Sequence, residues 1–347
     1  MQNPFAIHRL NRGYQLLLPQ VQFDTVRGCG PSVISHAHSD HVAEDRRMPV
    51  FATVETAELL RLRGHVGEIV ALPYDRWQEF RGWRMKLLPA GHILGSAQVL
   101  VERDDGRRLL YTGDMKVRPG RTAEPARFER ADDLVIECTF GLPIFRFPGD
   151  QEIAGSMTEF AHRCFENDEI PIFTGYSLGK SQEIMAILAE AGIATLVHPS
   201  TWQISKVYER FGVGLGDVAR FSGRGRRERR AWVMPPSSGG ELMRAHPRAR
   251  LCYASGWALL ESRRRASGAT LLAPLSDHAD YYDLFDAIRA VEPARVWTVH
   301  GPYAELFARD VRRTLGIEAA SLERTPGNAG LQDDSLHDAA ADGTALD

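Results

Sequence analysis

The chain has 347 residues, a formal net charge of -3 and an apolar fraction of 44 %, enough for one large domain or two ordinary ones, each with a full core. No apolar run reaches the length that crosses a bilayer, and Met1-Gln2-Asn3-Pro4 lacks the charged and apolar regions of a signal peptide, so no membrane association and a cytoplasmic location are expected. Cys29, Cys138, Cys164 and Cys252 are scattered without paired spacing, which argues against a disulfide framework and against a cysteine-type zinc site.

Taken in order, Gln15-Leu16-Leu17-Leu18 and Val21-Gln22-Phe23-Asp24 read as two short strands about a turn at Pro19. Asp24 either supports a metal-bound histidine from behind or simply forms a turn. The apolar Ser32-Val33-Ile34 then runs into Ser35-His36-Ala37-His38-Ser39-Asp40-His41. An alternation of two puts His36 and His38 on one side of an extended backbone, where they can grip one Zn²⁺. Asp40 and His41 fall just beyond, where a tight turn aims them at a neighbouring position, and two metals about 3.5–4 Å apart form the usual hydrolytic pair. Surface or capping roles suit a lone histidine; they do not explain this concentration of ligand-type residues.

A helix is predicted over 53–63 and a strand over 84–88, the latter delivering Ala90-Gly91-His92-Ile93-Leu94-Gly95-Ser96. Glycines flanking His92 let the backbone approach closely, as a ligand on a loop requires. His65 has no such company and is expected to be exposed. A hairpin over 98–103 and 107–112 ends in Thr112-Gly113-Asp114, where Asp114 either bridges two cations or merely ends a strand. Leu134-Val135-Ile136 reads as a buried strand capped by Glu137, a charge that needs a partner.

From about Gly141 helices and strands alternate: 151–167 is amphipathic, 170–174 and 194–197 are strands, and 180–191 is a helix, the pattern of a doubly wound unit. Gly175-Tyr176-Ser177-Leu178-Gly179 enters a helix and offers amides to a phosphate, a weak signal. His198 reads as a loop residue. Strands over 250–253, 270–273 and 295–299 follow. His278 and His300 each follow a strand and are separated by a helix over 281–291, so a parallel βαβ unit would place both at one sheet edge.

Lysine occupies only positions 86, 116, 180 and 206, leaving 38 of the 42 basic residues as arginine. Arg224, Arg226, Arg227, Arg229 and Arg230 form one cluster and Arg263 to Arg265 another. Each is either a track for nucleic-acid phosphates or a solvated face. Residues 325–347 are Gly, Ala and Asp rich and read as a disordered tail.

The motifs His36-x-His38-x-Asp40-His41, Gly91-His92, Gly113-Asp114, Glu137, Ser276-Asp277-His278 and Val299-His300-Gly301 occur together and in order. By them the chain resembles metallo-β-lactamase-fold nucleases of the β-CASP group, as far as about residue 322. Gly256-Trp257-Ala258 and Pro274-Leu275-Ser276-Asp277-His278-Ala279-Asp280 look most like the bacterial ligase-associated DNA exonucleases. The resemblance implies an α/β fold, a metallo-β-lactamase αββα sandwich (1–140 and 266–324) with an inserted α/β β-CASP domain (141–265) covering the site.

It further implies two Zn²⁺, with Mn²⁺ as an alternative. His36, His38 and His92 would hold one and Asp40, His41 and His300 the other, with Asp114 bridging and Asp24 supporting a ligand from behind. A metal-bound hydroxide would attack the backbone phosphate. His278, oriented by Glu137, would contact the scissile phosphate or protonate the leaving oxygen. The expected partner is nucleic acid, single-stranded DNA before RNA, with an ATP-dependent DNA ligase beside it in repair. His300 points the other way, towards the RNA-processing members, and a small-ester hydrolase on the same core is a further alternative.

Overall fold

The computed structural model describes residues 5–10, 13–222 and 229–323. They form two compact units, one running to Arg146 and resuming at His278, the other spanning Phe147–Asp277.

The first unit begins with β1 (Ile7–Arg9), β2 (Tyr14–Leu17), β3 (Gln20–Phe23), β4 (Ser32–Val33), β5 (Val50–Thr53), α1 (Val54–Leu62) and β6 (Ile69–Leu72). These strands lie side by side in chain order as one sheet. Helix α1 starts where it does because Thr53 caps it, its Oγ1 accepting from Thr56 N at 3.1 Å. The same hydroxyl donates to Gly95 O at 2.7 Å, tying the helix start to the loop that carries His92. Strands β7 (Gln78–Phe80), β8 (Trp83–Pro89), β9 (Ala97–Arg103), β10 (Arg108–Tyr111) and β11 (Asp133–Glu137) begin a second sheet.

The chain then enters the second unit with α2 (Asp150–Glu166), β12 (Ile170–Thr174), α3 (Lys180–Glu190), β13 (Thr195–Val197), α4 (Pro199–Arg210), β14 (Val218–Arg220), β15 (Ala231–Met234), α5 (Pro236–Ala245), β16 (Ala249–Ala254), α6 (Ser262–Ser267) and β17 (Leu271–Ala273). Its strands are parallel in the order β14-β13-β15-β12-β16-β17. Alternate side chains of β12 point to opposite faces. Ile172 packs with Leu242 and Met243 of α5 on one face, and Phe173 meets Phe160 of α2 edge-on on the other. Helices thus cover both faces, as a parallel sheet requires.

Returning to the first unit, α7 (Tyr281–Val291), β18 (Arg295–Val299), α8 (Ala304–Leu315) and β19 (Glu318–Ser321) complete the second sheet in the order β19-β18-β11-β10-β9-β8-β7. Val99 and Val101 of β9 face Leu16, Phe23 and Val33 of the first sheet, whereas Leu100 joins Phe285 and Ile288 of α7 and Phe307 of α8. With α1 packed on β5 and β6, the unit is an αββα sandwich. Each large apolar side chain so buried contributes roughly 1.5–3 kcal/mol.

Three readings of the sequence are corrected. β17 pairs with β16 in the second unit, not with β18; the strands before His278 and His300 therefore belong to different sheets, and the second unit's sheet runs beyond residue 265. His65 is buried, 3 % exposed, because its turn closes back on α1 through His65 N to Leu60 O at 2.9 Å. His198 is the cap of α4, its Nδ1 accepting from Ser200 N at 3.3 Å. The tail 325–347 lies outside the described residues, as do Arg224, Arg226 and Arg227. No helix among the described residues is long and apolar enough to cross a membrane.

Candidate metal centre

The residues that gather in the first unit come from strand ends and the loops after them, where the backbone is free to turn its side chains to a common point. After β4 the chain runs extended through His36, and a turn closes with His41 N donating to His38 O at 3.1 Å. His92 sits on the loop after β8, Asp114 after β10, Glu137 at the end of β11, and His300 after β18. Gly91 adopts φ +81°, and a Cβ there would stand 2.2 Å from Lys116 O. Only glycine lets this loop approach the neighbouring backbone so closely.

His36, His38, His92 and Asp114 offer ligand atoms that all lie within 4.8 Å of one another. His38 Nδ1 is 3.1 Å from His36 Nε2 and 3.0 Å from His92 Nε2. Nitrogens at tetrahedral vertices around a zinc ion about 2.1 Å away stand roughly 3.4 Å apart, so three nitrogens this close suit one cation. Asp114 Oδ2 is 3.6 Å from His36 Nε2 and 3.3 Å from His41 Nε2, while Asp114 Oδ1 is buried without a hydrogen-bond partner among the described residues. A buried carboxylate oxygen left so costs free energy in the absence of a counter-charge. The donor set and this orphaned oxygen fit a divalent metal bound by imidazole and carboxylate.

Electrostatics at His36 and Asp114 agree with the geometry. Burial, followed by the charges of His41 and His92, pushes the His36 imidazole well below its usual range, which keeps it in the neutral form that ligates. Burial opposes ionisation of Asp114, but His41, His278 and His36 outweigh it and hold the carboxyl well below the usual range. His41 is buried too, yet Asp114, Asp40 and Asp24 push it up.

The second set expected from the sequence is arranged less uniformly. His41 Nε2 lies 3.6 Å from Asp40 Oδ2, and the Asp40 side chain is 63 % exposed. The His300 ring stacks on His41 with centroids 4.6 Å apart, and the group it forms is with Asp24 and His41. Asp24 is a hub. Its Oδ1 accepts from Ser35 N at 2.7 Å, and its Oδ2 from Ser35 Oγ at 2.8 Å, His41 Nδ1 at 2.8 Å and Tyr111 Oη at 2.7 Å.

Glu137 and His278 form a third grouping with Asp114. His278 Nδ1 is 2.9 Å from Glu137 Oε1, and its ring centroid is 4.6 Å from that of His92. Glu137 is held in place by Met115 N at 2.7 Å and Thr139 Oγ1 at 2.7 Å. Sequence reasoning missed Thr139, Tyr111, Tyr14 and Glu323; the last two are joined by a 2.6 Å hydrogen bond. Tyr111 alone carried a local hint, immediately before Thr112-Gly113-Asp114.

In the second unit, Lys180 Nζ is bonded to Asp277 Oδ1 at 2.7 Å and Leu275 O at 2.9 Å, and Gly179 N to Gln182 Oε1 at 2.7 Å. These groups at the start of α3 therefore have partners within the chain. Of the arginine clusters, Arg230 pairs with Asp217 at 2.8 Å and Arg264 with Glu261 at 2.7 Å.

Two stacked sheets flanked by helices bring imidazoles and a carboxylate together at strand ends, a core suited to holding a divalent metal. Residues 273–321 match the family described as RMMBL, Zn-dependent metallo-hydrolase RNA specificity domain. The chain is 37 % identical over 293 residues to a probable DNA ligase of Opitutus terrae, an alignment covering 84 % of this chain and 28 % of that protein. It is 29 % identical over 173 residues to the DNA cross-link repair 1A protein of Homo sapiens, covering 48 % of this chain and 17 % of that one. An RNase J-like protein of Methanocaldococcus jannaschii is 29 % identical over 179 residues, 45 % of this chain and 42 % of its own. The chain thus matches less than half the length of each of these relatives.

A crystal structure of a protein of unknown function from Enterococcus faecalis V583 shares the fold, with a TM-score of 0.56 at 15 % identity over 79 % of this chain and 76 % of that one. By these matches the chain is similar to metallo-β-lactamase-fold β-CASP nucleases.

Proposed function

We propose that the chain is a two-zinc phosphodiesterase that acts as a DNA exonuclease in DNA repair. The observation that carries the reading is the convergence of His36, His38, His92 and Asp114 beside the Glu137–His278 pair. The first group suits a cation; the second places a proton-handling imidazole next to it. Relatives named a probable DNA ligase and a DNA cross-link repair protein support DNA as substrate and an ATP-dependent ligase as functional partner.

In this reading His36, His38 and His92 would hold one zinc and Asp40, His41 and His300 the other, with Asp114 a further carboxylate ligand beside them. Bound there, two zinc ions supply a nucleophile at neutral pH and offset charge building on the phosphoryl oxygens. His278 gives its Nδ1 proton to a hydrogen bond with Glu137, so Nε2 is the nitrogen left to meet the substrate. When the ring is charged, that nitrogen donates a proton to the leaving oxygen. Asp24 fixes His41 by accepting from Nδ1, which leaves Nε2 for the metal.

RNA is the second reading. It is favoured by the RNA-specificity description of the family matched at 273–321, the stretch that holds both His278 and His300.

End-labelled single-stranded DNA and RNA of equal sequence, each labelled at either end, separate the two. Progressive loss from one DNA end, absent in Asp40→Ala and His41→Ala proteins, is expected, and it fixes the polarity. Cleavage of RNA alone moves the chain to RNA processing. Failure on both polymers by zinc-loaded protein overturns the nuclease reading in favour of a small-ester hydrolase.

A further inference from the structure

Apart from its stacking on His41, His300 is held by residues outside the ligand set. Its backbone takes a left-handed φ of +48°, a conformation that costs a non-glycine residue roughly 1–2 kcal/mol. The amide donates to Glu323 Oε1 at 3.1 Å. That same oxygen accepts from Tyr14 Oη at 2.6 Å, and the Tyr14 ring meets the His300 ring edge-on with centroids 5.4 Å apart. Arg9 pairs with the other Glu323 oxygen. Tyr14, Arg9 and Glu323 thus fix where His300 sits.

Tyr111 fixes how its ring is used. The Tyr111 hydroxyl is 2.7 Å from Asp24 Oδ2 and 3.1 Å from His300 Nε2. A phenol has one proton to give. The carboxylate is the stronger acceptor and the closer one, so the proton goes to Asp24. Tyr111 Oη then accepts, and the group that donates to it is Nε2–H of His300.

We propose that Tyr111 is a positioning residue that sets the tautomer of His300, placing the proton on Nε2 and the lone pair on Nδ1. A ligating histidine characteristically gives its other ring N–H to a carboxylate or a carbonyl. Here the carboxylate is Asp24, and the phenol relays it. One Asp24 oxygen therefore orients two imidazoles: His41 directly through Nδ1 at 2.8 Å, and His300 through Tyr111. The two rings offer opposite nitrogens, Nε2 of His41 and Nδ1 of His300. The consequence for the second cation rests on the two-zinc reading; the tautomer does not.

Long-range ¹H–¹⁵N correlation spectra of metal-free protein test the tautomer, with His300 assigned by the signal lost in His300→Asn. Nε2–H is expected in the wild type and in Tyr14→Phe, which loses a hydroxyl bond of similar strength on the same cage. A mixture of tautomers is expected in Tyr111→Phe. Nδ1–H in the wild type, or identical spectra in the two phenylalanine variants, overturns the assignment.

Zinc titration of the same proteins tests the consequence. Tyr111→Phe is expected to weaken the second zinc by about 10–100-fold and leave the first unchanged, with Tyr14→Phe close to wild type. Equal weakening in both variants reduces Tyr111 to a structural role. A wild type that binds a single zinc ends the two-zinc reading, while the spectra still decide the tautomer.

Discussion

His278 Nδ1 stands 2.9 Å from Glu137 Oε1 although 141 positions separate the two in the chain. Glu137 is fully buried and takes its other bonds from Met115 N and Thr139. A carboxylate so fixed aims one imidazole and settles which of its nitrogens stays available. His278→Ala is expected to lower nuclease turnover by about 10²–10⁴-fold with zinc content unchanged. Glu137→Gln should lower it less, because the amide keeps the shape and changes the tautomer. Loss of zinc in either variant would show that the pair supports the metal rather than the proton transfer.

Gly91 makes a separate prediction. Gly91→Ala brings a Cβ to 2.2 Å from Lys116 O at a φ of +81°. It should cost more than about 1 kcal/mol and reduce zinc held by the His92 loop. Gly106→Ala is the control, with nearly the same φ of +82° and nothing within 4 Å of the added carbon. Equal melting shifts in the two variants would mean that backbone strain, not the close approach, explains the glycine at 91.

The cysteines divide by burial. Cys29 is exposed, and Cys138, Cys164 and Cys252 are buried. Burial, then Glu169, pushes the Cys164 thiol from 9.0 up to about 11, and burial likewise pushes Cys252 up. The folded state favours the neutral thiol. The stabilisation is therefore complete below pH 9.0 and, for Cys164, is lost as the pH rises through about 11. Alkylation of native protein at pH 8 should modify Cys29 alone, followed by mass spectrometry of the digested chain. Modification of Cys164 at the rate of Cys29 would contradict this.

Thr53 links helix and site, since its hydroxyl accepts from Thr56 N and donates to Gly95 O. Thr53→Ala should lower stability by about 1 kcal/mol through the lost cap and weaken zinc at the first position. A melting shift with unaltered zinc affinity would confine Thr53 to the helix.

How much of this was legible in the sequence depended on distance along the chain. His36, His38, Asp40 and His41 announce themselves because they are neighbours that end an apolar run. The predicted helix over 281–291 coincides with α7, whose capping Asp280 accepts from Tyr282 N and Asp283 N. β17 was assigned to the wrong sheet because a strand carries no mark of its partner, and the competing edges of β16 and β18 differ in no local signal. Helix α8 was legible in principle, since Ala304, Phe307, Ala308 and Val311 fall at helical spacing on its buried face and Arg309, Arg312 and Arg313 on its exposed one. His65 read as exposed among glycines and arginines, yet a backbone turn buries it. Tyr111 was invisible as a site residue: its partners lie 87 and 189 positions away, and only the folded sheets bring them together.

Metal analysis of the purified chain tests the central claim most directly. The account predicts two zinc ions per wild-type chain, one in His41→Ala, and one or none in His36→Ala and Asp114→Asn. A melting temperature that rises with added zinc should accompany them, as ligand binding to the folded state requires. Zinc content near zero in the wild type, or equal content across all four proteins, would contradict the assignment of His36, His38, His92 and Asp114 as a metal centre.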